Sequence, residues 1–251
     1  MLKGLSTSDV PGRLWRLSAL VVAVAPGMRW VIIRHAVPAG QPWQRACPRC
    51  QTEIGPLNWG PLWPTARCAR CRYRLGPPPW SVEIVLAVVT VAVAWANVPT
   101  WVLPAYVWWA GFGVVLSFVD LAVRRLPNRL TWPAAVGFLT LAGPAAWHGY
   151  AGAWLRAACG ALLLLVLLGV CALVRPGWVG RGDMKYGAAI GAAAGWASWF
   201  ALYASLFVAT LLGAVVGVVL IVAGKASRRS HLPLGPFLFA GTLTVVLQSL
   251  R

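Results

Sequence analysis

Acidic side chains are nearly missing: five Asp and Glu stand against 22 Lys and Arg in 251 residues, a formal net charge of +17. Charged residues of both signs reach only 11%, where soluble domains hold about 25%. Such a chain cannot clothe a water-facing surface, which excludes a soluble enzyme. Nucleic-acid binders are basic because they are rich in Lys and Arg. This chain is basic because it is poor in acids, so that class falls too. The 59% hydrophobic content excludes a disordered chain. Six cysteines spread over this length do not make a small secreted disulfide scaffold. Sustained strand alternation is also lacking, which argues against a membrane barrel. What remains is an all-α polytopic membrane protein.

Long stretches carry no charge at all: residues 84–119 (36 residues), 130–155 (26), 157–174 (18), 186–224 (39) and 230–250 (21). One span needs about 20 apolar residues, so the two longest runs each hold two spans. Asn97-Val98-Pro99-Thr100 breaks the first and Gly195-Trp196-Ala197-Ser198 the second. With a first span near residues 17–36 the count is about eight helices. Basic residues cluster as seven Arg between 34 and 74, then Arg124, Arg125 and Arg129, then Arg175, Arg181 and Lys185, then Lys225, Arg228 and Arg229. Eight spans put all four clusters on one side, which positive charge marks as the cytoplasm. Lys3, Arg13 and Arg16 conflict with that side unless the N-terminal segment lies at the interface. Ala23-Val24-Ala25 imitates a leader cleavage site, but Pro26 follows at once, and a retained span is expected.

Cys47 and Cys50 form one Cys-x-x-Cys pair, Cys68 and Cys71 another, with 17 residues between the pairs. This is the spacing of a four-thiolate zinc site. Four protein ligands leave no open position, so the expected role is structural. Cytoplasmic placement argues against disulfides. Cys159 and Cys171 lie within an apolar run and read as small hydrophobic residues.

The rarity of acids makes each one informative. Asp9 and Glu53 read as solvated, whereas Glu83, Asp120 and Asp183 border spans, where an ionisable group is costly and a functional candidate. Asp120 and Asp183 fall near the cytoplasmic ends of their helices. Two carboxylates at one depth suit an aspartic protease dyad, in which close like charges share one proton. The competing reading pairs each Asp with a nearby cation, Asp120 with Arg124 in particular. Gly187, Gly191 and Gly195 form an i, i+4, i+8 stripe that lets helices approach closely. The helix bearing Asp120 is the expected partner of that stripe.

Asp120-Leu-Ala-Val-Arg-Arg-Leu-Pro127-Asn128-Arg-Leu130-Thr131-Trp-Pro133 resembles the first catalytic motif of bacterial type IV prepilin peptidases, and Gly180-Arg-Gly182-Asp183-Met-Lys185 their second. The paired-cysteine loop ending at Pro79-Trp-Ser-Val-Glu83 resembles their cytoplasmic zinc loop, and Leu232-Pro233-Leu-Gly235-Pro236-Phe237 their C-terminal motif. The resemblance runs from about residue 21 to 243. It implies a membrane aspartic endopeptidase of about eight spans in the bacterial cytoplasmic (inner) membrane, with active site and zinc loop facing the cytoplasm. Its partners would be membrane lipid and prepilin or pseudopilin substrates, whose basic leader it removes; nucleic acid is not expected. By the resemblance Asp120 and Asp183 are catalytic, and Cys47, Cys50, Cys68 and Cys71 hold zinc. The implied organisation is an N-terminal segment and first span over 1–36, the zinc loop over 37–80 and the protease core over 81–251.

Many members also N-methylate the new terminus with S-adenosylmethionine. Here the cytoplasmic loop is only about 45 residues, Gln44-Arg45 stands where Glu-Arg is common, and no glycine-rich dinucleotide motif is present. Lys185 matches the second motif, with a role toward either the dyad region or a lipid phosphate. Two other classes compete. One is a presenilin-like intramembrane protease, which shares Gly-x-Gly-Asp. The other is a non-enzymatic zinc-bearing scaffold or transporter.

Overall fold

The computed structural model describes residues 10–38, 40–55, 59–96, 98–175, 180–225, 227 and 232–250, with backbone alone for 10–18 and 20. Lys3, Asp9, Asn97, Trp178, Arg228 and Arg229, and the side chains of Arg13 and Arg16, lie outside the described residues. The helices are α1 (Val10–His35), α2 (Trp59–Leu62), α3 (Ser81–Trp95), α4 (Leu103–Val123), α5 (Asn128–Ala142), α6 (Ala151–Val174), α7 (Arg181–Ala197), α8 (Trp199–Val222) and α9 (Gly235–Ser249).

The helix breaks follow local chemistry. The uncharged run 84–119 parts between α3 and α4, and Pro104 falls in the first turn of α4, where its missing N–H costs nothing. Between α7 and α8 a single extended residue, Ser198, turns the chain. Its hydroxyl accepts the Ala201 N–H at 2.9 Å, an N-cap worth about 1 kcal/mol. Arg156, read in the sequence as the boundary between two runs, lies inside α6. Its guanidinium donates to the carbonyls of Gly195 and Trp196, both at 2.7 Å. A cation thus satisfies the open carbonyl end of α7.

Eight of these helices have 15 residues or more. Three of them, α4, α6 and α8, are both long and apolar enough to cross a membrane. The apolar α3 and α9 have 15 residues each, which reach ~22 Å against a hydrocarbon core of ~30 Å. Large apolar side chains of α6 and α8, among them Leu162, Val166, Leu173, Phe200, Phe207 and Val222, are exposed. This is a lipid-facing surface, since no soluble domain displays such a belt.

At the centre stands α7, buried without a break from Tyr186 to Trp196 and packed on α4, α5, α6, α8 and α9. Its small residues make this possible. The Gly187, Gly191, Gly195 stripe meets α6, not the Asp120 helix expected from the sequence. A Cβ on Gly191 would run into the Gly160 carbonyl, and one on Gly195 would come within 2.8 Å of the Arg156 carbonyl. The stripe permits close backbone contact, and Gly160 and Ala157 on α6 offer the matching small surface. Contact between α7 and α4 is made instead by Tyr106, whose hydroxyl donates to the Ala193 carbonyl at 2.8 Å. On the other flank of the bundle, buried Arg29 of α1 pairs with Glu83 of α3 at 2.5 and 2.6 Å.

Candidate functional site

Two clusters gather the chemistry-bearing residues. The first is the four-cysteine module, which repeats itself with an offset of 21. In the first knuckle the Cys47 N–H donates to the Thr52 carbonyl, the Gln51 N–H to Cys47 and the Ile54 N–H to Arg45, at 2.8, 2.9 and 2.7 Å. In the second, Cys68 donates to Tyr73, Arg72 to Cys68 and Leu75 to Ala66, at 2.8, 3.0 and 2.8 Å. Each turn demands a left-handed residue after its second cysteine. Gln51 (φ 57°) and Arg72 (φ 59°) occupy these places, where glycine would be unstrained. Ile33 at the end of α1 packs on Ile54 and Ala66 and seats the module on the bundle.

All four Sγ atoms lie within 4.8 Å of one another. Cys47 to Cys71 and Cys50 to Cys68 are 3.6 Å apart, close to the ~3.8 Å edge of a tetrahedron with 2.3 Å metal–sulfur bonds. The cysteines are free thiols, and their arrangement suits a structural metal. The thiols do not ionise alike. Hydrogen bonds from Thr52 lower Cys50 to about 6. Cys71 receives a lowering hydrogen bond from the Tyr73 backbone, yet burial and the three neighbouring sulfurs carry it up to about 12. Cys159 and Cys171 lie exposed on α6 and are not part of this cluster.

The second cluster forms where the ends of α4, α7 and α9 meet. Asp120, 4% exposed, sits one turn before the end of α4. Its Oδ2 accepts the Gly235 N–H at 2.8 Å, so the first amide of α9 points at the carboxylate. A Cβ on Gly235 would lie 2.9 Å from that same oxygen and would push the carboxylate aside. Arg124 does not pair with Asp120. It closes α4 in the left-handed conformation, its N–H on the Asp120 carbonyl at 2.7 Å.

Asp183 opens α7, and its Oδ2 accepts the Gly180 N–H at 3.2 Å, the carboxylate half of a helix cap. Gly182 lets this end approach the α4–α5 turn: a Cβ would lie 2.6 Å from the Leu126 carbonyl. Both glycines of Gly180-Arg-Gly182-Asp183 thus serve to position one carboxylate. Lys185, two residues further along α7 at the rim, donates to Asn128 Oδ1 at 2.8 Å. It thereby ties α7 to the start of α5.

Asp120 and Asp183 line one cavity of about 490 Å³ together with Arg124, Arg125, Asn128, Arg181 and Lys185. The two charges act on each other, so the arrangement can hold one shared proton between two acids. Glu53 is exposed and is not among the residues lining this cavity, and Glu83 is committed to Arg29. Sequence reasoning missed the Gly235 amide and the Asn128 amide. Their only signal was membership in the motifs around Asp120 and Phe237.

Residues 105–221 match the model of the type IV leader peptidase family. The match takes in Asp120 and Asp183, and over these residues the resemblance read from the motifs holds. The four-cysteine module and α9 lie outside it. No curated protein and no solved structure matches the chain.

Proposed function

We propose that the chain is a membrane aspartic endopeptidase that removes the basic leader of a type IV prepilin or pseudopilin, with Asp120 and Asp183 as its catalytic pair. The observation that carries this reading is the shared cavity. Two of the chain's five acids, 63 residues apart in sequence, meet at one end of the bundle. In the proposed mechanism the ionised member takes a proton from water while the protonated member donates to the scissile carbonyl oxygen. Water attacks the carbonyl carbon; as the C–N bond then breaks, the proton taken from water passes to the leaving amine and the proton given to the carbonyl oxygen returns to its aspartate. A buried amide from Gly235 and an exposed one from Gly180 orient the two carboxylates.

The rim of Arg124, Arg125, Arg181 and Lys185 repels a basic leader. Substrate binding therefore draws on the apolar helix that follows the cut, while the leader stays among anionic headgroups. The rim also favours the cytoplasmic side for this cavity and for the four-cysteine module. For the module, zinc is the proposed metal, held as a closed structural site by Cys47, Cys50, Cys68 and Cys71. The proposed organisation keeps the boundaries 1–36, 37–80 and 81–251 and eight crossings in the bacterial inner membrane.

Methyl transfer is not assigned. Beside the end of α1 lies a cavity of about 400 Å³ with His35, Trp43 and Arg125 in its wall. Arg34 and Arg129 both stand over the Trp43 ring, at 5.0 and 4.5 Å. The wall itself carries Arg125 and no acid, so no carboxylate faces the sulfonium of S-adenosylmethionine there.

Incubation of the purified protein with a basic-leader pilin precursor, followed by mass spectrometry, tests the reading. A single cut between leader and apolar helix is expected. A cut inside the apolar helix would favour the presenilin-like alternative, and no cut at all the scaffold or transporter.

A further inference from the structure

The two knuckles share one backbone but not one surface. With the offset of 21, Ala46, Gln51 and Glu53 of the first correspond to Arg67, Arg72 and Arg74 of the second, while Arg49 corresponds to Arg70. The second knuckle thus presents four exposed Arg within eight residues and no acid. Their recorded hydrogen bonds reach backbone carbonyls only: Arg67 to Arg72 at 3.4 Å and Arg74 to Gly76 at 3.3 Å. The backbone needs none of these charges, since the first knuckle makes the same turn with Gln51 and Glu53.

Exposed rings lie within and beside the same knuckle in the chain. Tyr73 is 44% exposed, Trp63 64% and Trp80 58%. The Trp80 N–H donates to the Pro64 carbonyl at 3.3 Å, which draws the Trp63 segment to the mouth of α3. From there Ile84, Val88, Val91 and Trp95 run along α3 as an exposed apolar stripe. The Arg-bearing knuckle and its rings therefore lead, within a few residues of chain, into an apolar, lipid-type surface.

We infer that the second knuckle of the four-cysteine module is a docking face for the anionic phospholipid headgroups of the bilayer. Trp63, Tyr73 and Trp80 seat at headgroup depth, and Arg67, Arg70, Arg72 and Arg74 meet the phosphates. Charge complementarity selects an anionic occupant. Continuity with the apolar stripe of α3 selects the membrane over a soluble acidic protein. The face would hold the module flat on the bilayer, on the side where α3 enters it.

Hydrogen–deuterium exchange on the full chain tests this without reference to peptidase activity. The protein is placed in nanodiscs of neutral phosphatidylcholine or of a phosphatidylglycerol-rich mixture. Exchange over residues 67–74 should slow by about tenfold in the anionic bilayer, and high salt should remove the difference. The Arg70→Gln, Arg72→Gln, Arg74→Gln variant should lose it, with metal content unchanged. Arg45→Gln, Arg49→Gln on the first knuckle should keep it. Inorganic phosphate added to neutral discs should not reproduce the protection. Equal exchange of the wild-type chain in both bilayers would overturn the proposal without any variant. So would protection by free phosphate alone, or protection that needs an added soluble protein.

Discussion

The four-cysteine module and the two-aspartate cavity concentrate reactive side chains by opposite means. Each knuckle places two sulfurs through one local turn, and the two turns are copies of each other. The aspartates come from α4 and α7 and are held by amides from Gly235 and Gly180. The Asp120–Gly235 bond alone closes 115 residues of chain. A site built from local turns needs little beyond its own ligands. A site built across a bundle depends on every close helix contact beneath it. The difference teaches that the cavity should be sensitive to substitutions that leave the module untouched, and the reverse.

The largest effect separates the two outright. Asp183→Asn or Asp120→Asn should cut cleavage of a pilin precursor by on the order of 10⁴-fold, while metal content by elemental analysis stays that of the wild type. Cys68→Ser should do the opposite to the metal and leave the helical content by circular dichroism unchanged. Loss of helix together with the metal would break the comparison.

Gly191→Ala probes the bundle. Its Cβ would strike the Gly160 carbonyl, a backbone atom that moves only with α6. A loss of about 1–3 kcal/mol is expected, read as a lowered melting temperature in detergent. Because α7 carries Asp183, cleavage should fall as well, with metal content unchanged.

Within the module, the metal-stripped protein should alkylate first at Cys50. A thiol lowered to about 6 is a thiolate at pH 7, whereas Cys71 at about 12 is still protonated there. Iodoacetamide followed by peptide mapping should find Cys50 modified at least about tenfold faster. Since the metal needs thiolates, its affinity should fall as pH drops. Equal rates for the two cysteines would contradict the lowering of Cys50 by its Thr52 hydrogen bonds.

The smallest effect concerns backbone strain. Gln51→Gly and Arg72→Gly relieve left-handed conformations at φ 57° and 59°, at the expense of a more flexible unfolded chain. A net gain of about 0.5 kcal/mol each is expected, read as slower metal loss to a chelator.

The local site was almost wholly legible. Paired Cys-x-x-Cys spacing is itself the turn, so residue types and intervals suffice. The helix breaks near Pro99 and at Ser198 were legible because both are backbone events. Asp120 and Asp183 stood out because acids are so rare here. What sits across the bundle was not legible. A glycine stripe records that something comes close, not which helix, and α6 rather than α4 proved to be the partner. Arg156 read as a boundary because charge is usually excluded from spans. It lies inside a helix because the carbonyl end of α7 gives it hydrogen bonds. The Gly235 contact with Asp120 depends on how α9 returns to α4, which no local pattern records.

The central claim is that Asp120 and Asp183 act as one unit. Rates of precursor cleavage by wild type, Asp120→Asn, Asp183→Asn and the double variant test it most directly. The account predicts that the double variant is hardly slower than either single one, because removing one member already removes the shared-proton chemistry. Single losses that multiply in the double variant, or full cleavage by Asp183→Asn, would contradict it.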